Sequence, residues 1–393
     1  TDTVQIVIKL KKNADKRIRK GHLWVFSNEV DTPNVSDIEK GSIDELCDSG
    51  GNFLGMVYLN PNSLITARII SREKTDIDAS FIKQRIREAN SRRSTMCRAS
   101  NAYRMFYGES DLIPGLIIDR YGDVYVIQSS TAGVDALMDM VVEAIVELCS
   151  PVAVYIRNDL PVRDLESIPR HKRLGYGELP EHVDIDLNGL KFRVDVESGQ
   201  KTGFFLDQEF NRMSLVKYLP EGARVLDLFC YSGAWAINAA ARAKCEAVAV
   251  DSSINALDAA RKNAALNGVE ERVELVKHDC IDFLKKSEGF WDVVIADPPA
   301  FVKSKAKLAE GKRGYFDLNK RSLMKLRPGG LFVTCSCSHH LSLDDFLDLV
   351  LTASIQSSRR LRVLEVLGQG PDHPSLLAMP ETAYLKALIC QVI

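Results

Sequence analysis

The chain has 393 residues, 46% of them hydrophobic, which fits a globular protein of two or three domains. No apolar run approaches the roughly 18 residues of a membrane span, no charged-then-apolar stretch of the signal type opens the sequence, and nine cysteines without a repeated spacing argue against a disulfide scaffold and for a reduced, cytoplasmic setting. The net charge of −2 carries no global signature of a nucleic-acid binder, so any such contact must come from local patches.

Residues 1–72 alternate short apolar segments (4–8, 54–58, 64–70) with turns such as Asp48-Ser-Gly-Gly51. Short strands this close together predict a small barrel. Residues 9–20 hold seven Lys/Arg against one Asp: Lys9, Lys11, Lys12, Lys16, Arg17, Arg19 and Lys20. Gly21-His-Leu-Trp-Val-Phe26 follows. The layout resembles a PUA domain, a small RNA-binding barrel. The plain alternative is a β module that only packs on its neighbour.

Residues 73–180 predict an α+β unit: a basic helix over 81–93, strands within 105–119 and at 124–128, an amphipathic helix over 134–148 and a strand at 152–156. Glu109 and Asp111 could be paired carboxylates, but turn duty is the expectation. Residues 157–180, rich in Arg, Pro and Gly, read as a linker loop. Two short strands around Asn188-Gly189 predict a hairpin, and a helix follows from about 207 to 219.

From Arg224 onward strands (224–229, 247–250, 273–276, 291–296, 330–337) alternate with helices (234–243, 253–267, 280–287, 314–326, 342–352). This predicts a mainly parallel doubly wound sheet. Stretches 361–366 and 384–392 would close it as a reversed hairpin at one edge. The expected division is a barrel at 1–72, an α+β domain at 73–180 and an α/β domain at 181–393.

In such a sheet ligands bind beyond the carboxyl ends of the strands. Ser232 and Gly233 form the turn after the first of them, without the G-x-G-x-x-G of dinucleotide binders. Asp251, ending the second strand, is placed to accept a ribose hydroxyl. Asp297 ends the fourth strand. Pro298 and Pro299 then fix the loop and remove two N–H donors, leaving a carboxylate and rigid carbonyls that suit the amino group of a planar base.

Val225-Leu-Asp-Leu-Phe-Cys-Tyr-Ser-Gly233, Val250-Asp-Ser-Ser253 and Ala296-Asp-Pro-Pro-Ala-Phe301, in this order, resemble the S-adenosylmethionine-dependent methyltransferases. Thr334-Cys-Ser-Cys-Ser338 resembles the catalytic strand of RNA cytosine-5 methyltransferases. With Gly199-Gln-Lys-Thr-Gly-Phe-Phe-Leu-Asp-Gln208, the whole chain resembles the ribosomal RNA large-subunit cytosine-5 methyltransferases. These are built as a PUA-like β-barrel, an α+β linking domain and a Rossmann-like methyltransferase domain with a mostly parallel seven-stranded sheet.

The resemblance implies S-adenosylmethionine as cofactor and no metal. Asp227, Tyr231 and Gly233 would meet its methionine end, Asp251 its ribose, and Asp279 its adenine amino group with Cys280 alongside. Phe205 and Gln208 would wall the pocket, although Phe204-Phe205 could equally be core. Asp297 and Pro298 would face the target base.

Carbon 5 of a pyrimidine is a poor nucleophile until a thiolate adds at carbon 6, so this chemistry needs a cysteine. The resemblance points to Cys337, with Cys335 as competitor and plain packing as the bland role for both. Ala300 stands where many related RNA enzymes carry a second cysteine in the base-facing loop. The expected partner is ribosomal RNA, gripped by residues 9–20 and by 303–325, which hold eight Lys/Arg against Glu310 and Asp317. A homodimer is compatible with the sequence. The rival readings are a guanine-nitrogen methyltransferase and a non-catalytic RNA-binding assembly factor.

Overall fold

The computed structural model describes residues 7–33 and 35–393; residues 4–6 of the first expected strand lie outside them. The chain forms two compact units, one of residues 1–186, 194–206 and 371–382, the other of 187–193, 207–370 and 383–393.

The first unit opens with β1 (Val7–Lys9), α1 (Asp15–Arg19), β2 (Trp24–Val25), β3 (Ile43–Cys47), β4 (Phe53–Leu59) and β5 (Ala67–Ser71), the strands ordered β1-β3-β4-β5-β2 in one sheet. Ile8, Leu10, Ile18, Val57 and Ile69 fill its core. Next come α2 (Ala79–Met96), β6 (Ala102–Tyr107), β7 (Leu116–Tyr121), β8 (Val124–Ser129), α3 (Ala132–Ala136), α4 (Met138–Cys149), β9 (Ala153–Asn158) and β10 (His171–Gly177). Their five strands run β10-β9-β8-β7-β6, and β8 pairs β9 in parallel across the helical crossover. Ile82 and Ile86 of α2 and Val141 and Ile145 of α4 share a core with Ile118, Ile127 and Ile156 of the sheet.

Two particulars depart from or settle the sequence reading. The expected linker loop contains β10, an edge strand paired antiparallel to β9. Its polar, mostly exposed residues gave no alternation to read, and pairing with β9 holds it. Asp111 is structural: it accepts from Arg93 (2.8 and 2.5 Å), Arg92 (2.7 Å) and the Tyr107 N–H (2.7 Å), while Glu109 accepts from the Trp24 indole.

β11 (Val183–Leu187) and β12 (Leu190–Val194) flank Asn188-Gly189, both at positive φ (52° and 84°), as an Asn-Gly hairpin turn requires. In the second unit α5 (Glu209–Val216) leads into β13 (Arg224–Leu228), α6 (Ala234–Ala243), β14 (Glu246–Asp251), α7 (Ile254–Leu266), β15 (Val273–Lys277), α8 (Cys280–Lys286), β16 (Trp291–Ala296), α9 (Leu308–Met324), β17 (Leu326–Ser336), α10 (Leu343–Gln356), β18 (Leu361–Leu367) and β19 (Lys386–Val392).

The seven strands are ordered β15-β14-β13-β16-β17-β19-β18. β15 through β17 are parallel, and β19 runs antiparallel between β17 and β18. The chain winds outward from β13 to β15, then returns to β16 on its other side. That reversal is the topological switch point where such sheets bind ligands. α9 begins six residues before its expected start at 314, because Gly311 and Gly314 lie inside it rather than ending a loop.

Candidate active site

At the tip of β13, Asp227 is fully buried. Its Oδ2 accepts from the Ala236 N–H of α6 (3.1 Å), and its Oδ1 has no partner among the described residues. Burial pushes this carboxyl well above the usual carboxylate range, and the charges of Asp297 and Asp251 add to the push. An unpaired buried acceptor of this kind is costly.

The loop that follows is wound tightly: Phe229, Tyr231 and Gly233 all have positive φ (60°, 48°, 78°). Asp251 ties it to β14, its two oxygens accepting from the N–H groups of Tyr231 (3.0 Å) and Ser253 (2.9 Å). A Cβ at position 233 would meet the Ala260 methyl at 3.0 Å, so glycine serves both the turn and the packing of α7. Cys280 is a second tie. The Phe229 N–H donates to its sulfur (3.2 Å), the thiol reaches the Val250 carbonyl (3.6 Å), and burial pushes it up to about 12. Asp279 stands exposed beside it and caps α8 by accepting from the Asp282 N–H (2.9 Å).

Asp297 leaves β16 half-buried. Gln208 Nε2 donates to its Oδ1 (3.0 Å) and Trp235 Nε1 to its Oδ2 (3.0 Å). Asn211 Nδ2 donates to Gln208 Oε1 (2.7 Å), which fixes the amide's orientation. The loop after Asp297 is clamped from two sides. Ser338 Oγ accepts from the Val302 N–H (3.1 Å) and bonds the Tyr315 hydroxyl (2.9 Å), and the Phe301 ring stacks at a tilt on Tyr315 (4.8 Å between centroids). From below, α9 approaches so closely that a Cβ on Gly311 would lie 2.8 Å from the Phe301 carbonyl oxygen. Gly311→Ala is therefore expected to cost about 1–3 kcal/mol in urea unfolding and to lower activity, although the same change stabilises an ordinary helix interior by roughly 0.5–1 kcal/mol.

The two cysteines of β17 have different surroundings. Cys335 is fully buried, and burial pushes its thiol well up. Cys337 lies just past the strand's end, half-buried, with its sulfur 4.0 Å from the Pro298 carbonyl oxygen. The thiol and the Asp297 loop thus meet at adjacent strand tips.

The structure brings Asp227, Tyr231, Gly233, Asp251, Cys280, Gln208, Asp297, Pro298 and Cys337 to one end of one sheet. Phe205 is half-buried in the first unit, beneath the Lys201 ammonium at 4.5 Å from its ring centre. Sequence reading missed Trp235, Asn211, Tyr315 and Lys386. Two of these carried a signal: a tryptophan inside an alanine-rich helix needs an acceptor for its N–H, and Lys386 is a lone charge opening an apolar strand.

An S-adenosylmethionine-dependent methyltransferase family model matches residues 172–391, and a PUA-like domain model matches residues 8–72. A protein of Aeromonas hydrophila named ribosomal RNA large subunit methyltransferase I is 37% identical over 97% of this chain and 98% of its own. Its namesake in Klebsiella pneumoniae is 33% identical over 100% of both chains. Among solved structures, an S-adenosylmethionine-dependent methyltransferase from Streptococcus mutans superposes with a TM-score of 0.83 at 22% identity, over 99% of this chain and 100% of that one. A methyltransferase solved in complex with SAH gives a TM-score of 0.84 at 22% identity, with the same coverage. The match of both family models, and relatives 33–37% identical over nearly the whole chain, place it in the family of S-adenosylmethionine-dependent methyltransferases whose members are named ribosomal RNA large subunit methyltransferase I.

Proposed function

We propose that this chain methylates carbon 5 of a cytosine in large-subunit ribosomal RNA, with Cys337 as nucleophile. The observation that carries this reading is the position of the Cys337 sulfur. It is partly open and 4.0 Å from the carbonyl of the Asp297 loop, while Cys335 is fully buried. Methylation of an exocyclic nitrogen has no use for a thiol so placed.

The residues at the strand tips fit the cofactor. The orphaned Oδ1 of Asp227 would take its amino group, the Asp251 carboxylate its ribose hydroxyls, and the Tyr231–Gly233 turn its methionine end. The charges of Asp251 and Asp297 both disfavour ionisation of Asp227, and a cationic ligand would offset them. S-adenosylmethionine supplies, when bound, an electrophilic methyl group.

The protein's own part has three components. Asp297, aimed by Gln208 and Trp235, accepts from the cytosine amino group. The rigid carbonyls of Pro298 and its neighbours border the ring. The Cys337 thiolate forms a bond to carbon 6, which makes carbon 5 nucleophilic; loss of the carbon-5 proton to a base later breaks that bond and returns the electron pair to sulfur.

A base must leave its stack to reach such a site. Exposed Lys303, Lys305 and Arg313, beside the Asp297 loop, are proposed to line the RNA path, whereas Lys312 and Arg321 are engaged by Asp345 and Asp317. In the first run Lys9, Lys12, Lys16 and Lys20 are exposed, while Arg17 pairs with Glu29 and Arg19 with Asp15 and Asp48. The proposed domain limits are 1–72, 73–180 and 181–393. The test is RNA carrying 5-fluorocytosine: fluorine blocks the final proton loss, so the protein should remain joined to RNA through Cys337. Turnover on this RNA without a trapped adduct would defeat the reading.

A further inference from the structure

Lys386 is the first residue of β19, antiparallel to β17, and its partner across the ladder is Ser336. Its side chain is buried, and its Nζ donates to the carbonyl oxygens of Ser338 (2.6 Å) and Tyr384 (2.8 Å). The ammonium is therefore pinned to the stretch 336–338, which has Cys337 at its centre. Burying an ammonium without a carboxylate is unfavourable, and the next four residues of β19, Ala387, Leu388, Ile389 and Cys390, are apolar and all buried. We propose that Lys386 is a positioning residue for Cys337: its fixed positive charge holds the sulfur as the thiolate that adds to the base.

Every charged or titratable neighbour bears on this balance. Asp297 at the end of β16 and Asp207 ahead of α5 oppose ionisation of the neighbouring Cys335 sulfur. Tyr315 of α9 and Cys335 of β17 are pushed up by burial. On the exit turn, burial lowers His339, and the charges of Lys386 and His340 lower it further. Lys386 supplies the positive charge that answers these. Burial brings its ammonium down to about 8, and Cys337 acts against that fall by favouring the charged form. Lysine beside a cysteine is a known way to generate thiolate near neutral pH. The thiol proton passes to solvent, the freed electron pair forms the sulfur–carbon-6 bond, and it returns to sulfur when that bond breaks.

The inference rests on Cys337 being the nucleophile, so its test avoids RNA. The full-length protein is alkylated with iodoacetamide across a pH series, and the modified Cys337 peptide is followed by mass spectrometry. The wild-type midpoint should fall below the ordinary thiol value of about 8.5. Lys386→Met should displace it upward by about one pH unit, slowing alkylation at pH 7 roughly tenfold, while Lys386→Arg keeps the low midpoint. Retained S-adenosylmethionine binding reports that the variants are folded. A wild-type midpoint at or above 8.5, which needs no variant, overturns the proposal, and so does an unchanged profile in Lys386→Met. A low midpoint alongside failed 5-fluorocytosine trapping would sink the cytosine reading and leave the lysine's effect on the sulfur standing.

Discussion

Replacing Cys337 with alanine is expected to reduce methyl transfer to RNA by on the order of 10⁴-fold or more, the scale seen when a covalent nucleophile is deleted. Cofactor binding should stay near wild type, because the sulfur approaches the Asp297 loop rather than the Asp227 and Asp251 carboxylates. Cys335→Ala should behave differently. It opens a small cavity in a fully buried position and so lowers stability by about 1 kcal/mol, yet it should keep most of the rate. The pair of variants, compared by methyl incorporation and by adduct formation on 5-fluorocytosine RNA, separates a reacting thiol from a packing one. If Cys337→Ala retained rate and nucleoside analysis found the methyl on guanine, the covalent mechanism would be wrong.

The second large effect is expected at Asp227, with opposite signs for binding and stability. Asp227→Asn keeps an oxygen for the Ala236 N–H but removes the carboxylate. Loss of a charge-assisted hydrogen bond should weaken S-adenosylmethionine binding about tenfold to a hundredfold. The unliganded protein should be at least as stable as wild type, because a buried, like-charged carboxylate is a liability there.

The sign of the pH dependence follows. A carboxyl whose folded-state affinity for protons is raised makes the native state bind more protons than the unfolded one. Stability therefore falls as pH rises from the ordinary aspartate value of about 3.9 toward the elevated folded value. Cofactor affinity moves the other way, climbing with pH over the same window as Asp227 ionises. Calorimetric titration at several pH values reads both trends. A destabilised Asp227→Asn with unchanged affinity would contradict them.

The catalytic half of the fold was legible in the sequence because its signals are local. A parallel strand, a short turn and a capped helix repeat with little interference, so β13 through β17 fall within a few residues of expectation. The exceptions involve partners distant in sequence. β10 is a strand because β9 offers it a ladder, not because of its own side chains. α9 starts early because its glycines seat the Phe301 backbone, and glycine read locally means a break. The positions of the candidate site residues along the strands were legible in the same measure. Asp251 and Asp297 stand at strand ends and Asp227 one residue inside the end of β13, whereas Lys386 reaches β17 from fifty residues further along the chain, through an antiparallel pairing that periodicity cannot assign. The different fates of Cys335 and Cys337 likewise depend on where β17 stops.

The placement of β19 between β17 and β18 has a consequence for biosynthesis. β18 leaves the ribosome first, yet it has no neighbour to pair with until residues 386–392 emerge. Until then the free edge of β17 stays bare beside Cys337, without the lysine that β19 delivers. Completion of this edge of the sheet is therefore the last step of the chain's synthesis, and a proteolytic nick that releases only this final strand should expose β17 and β18 together.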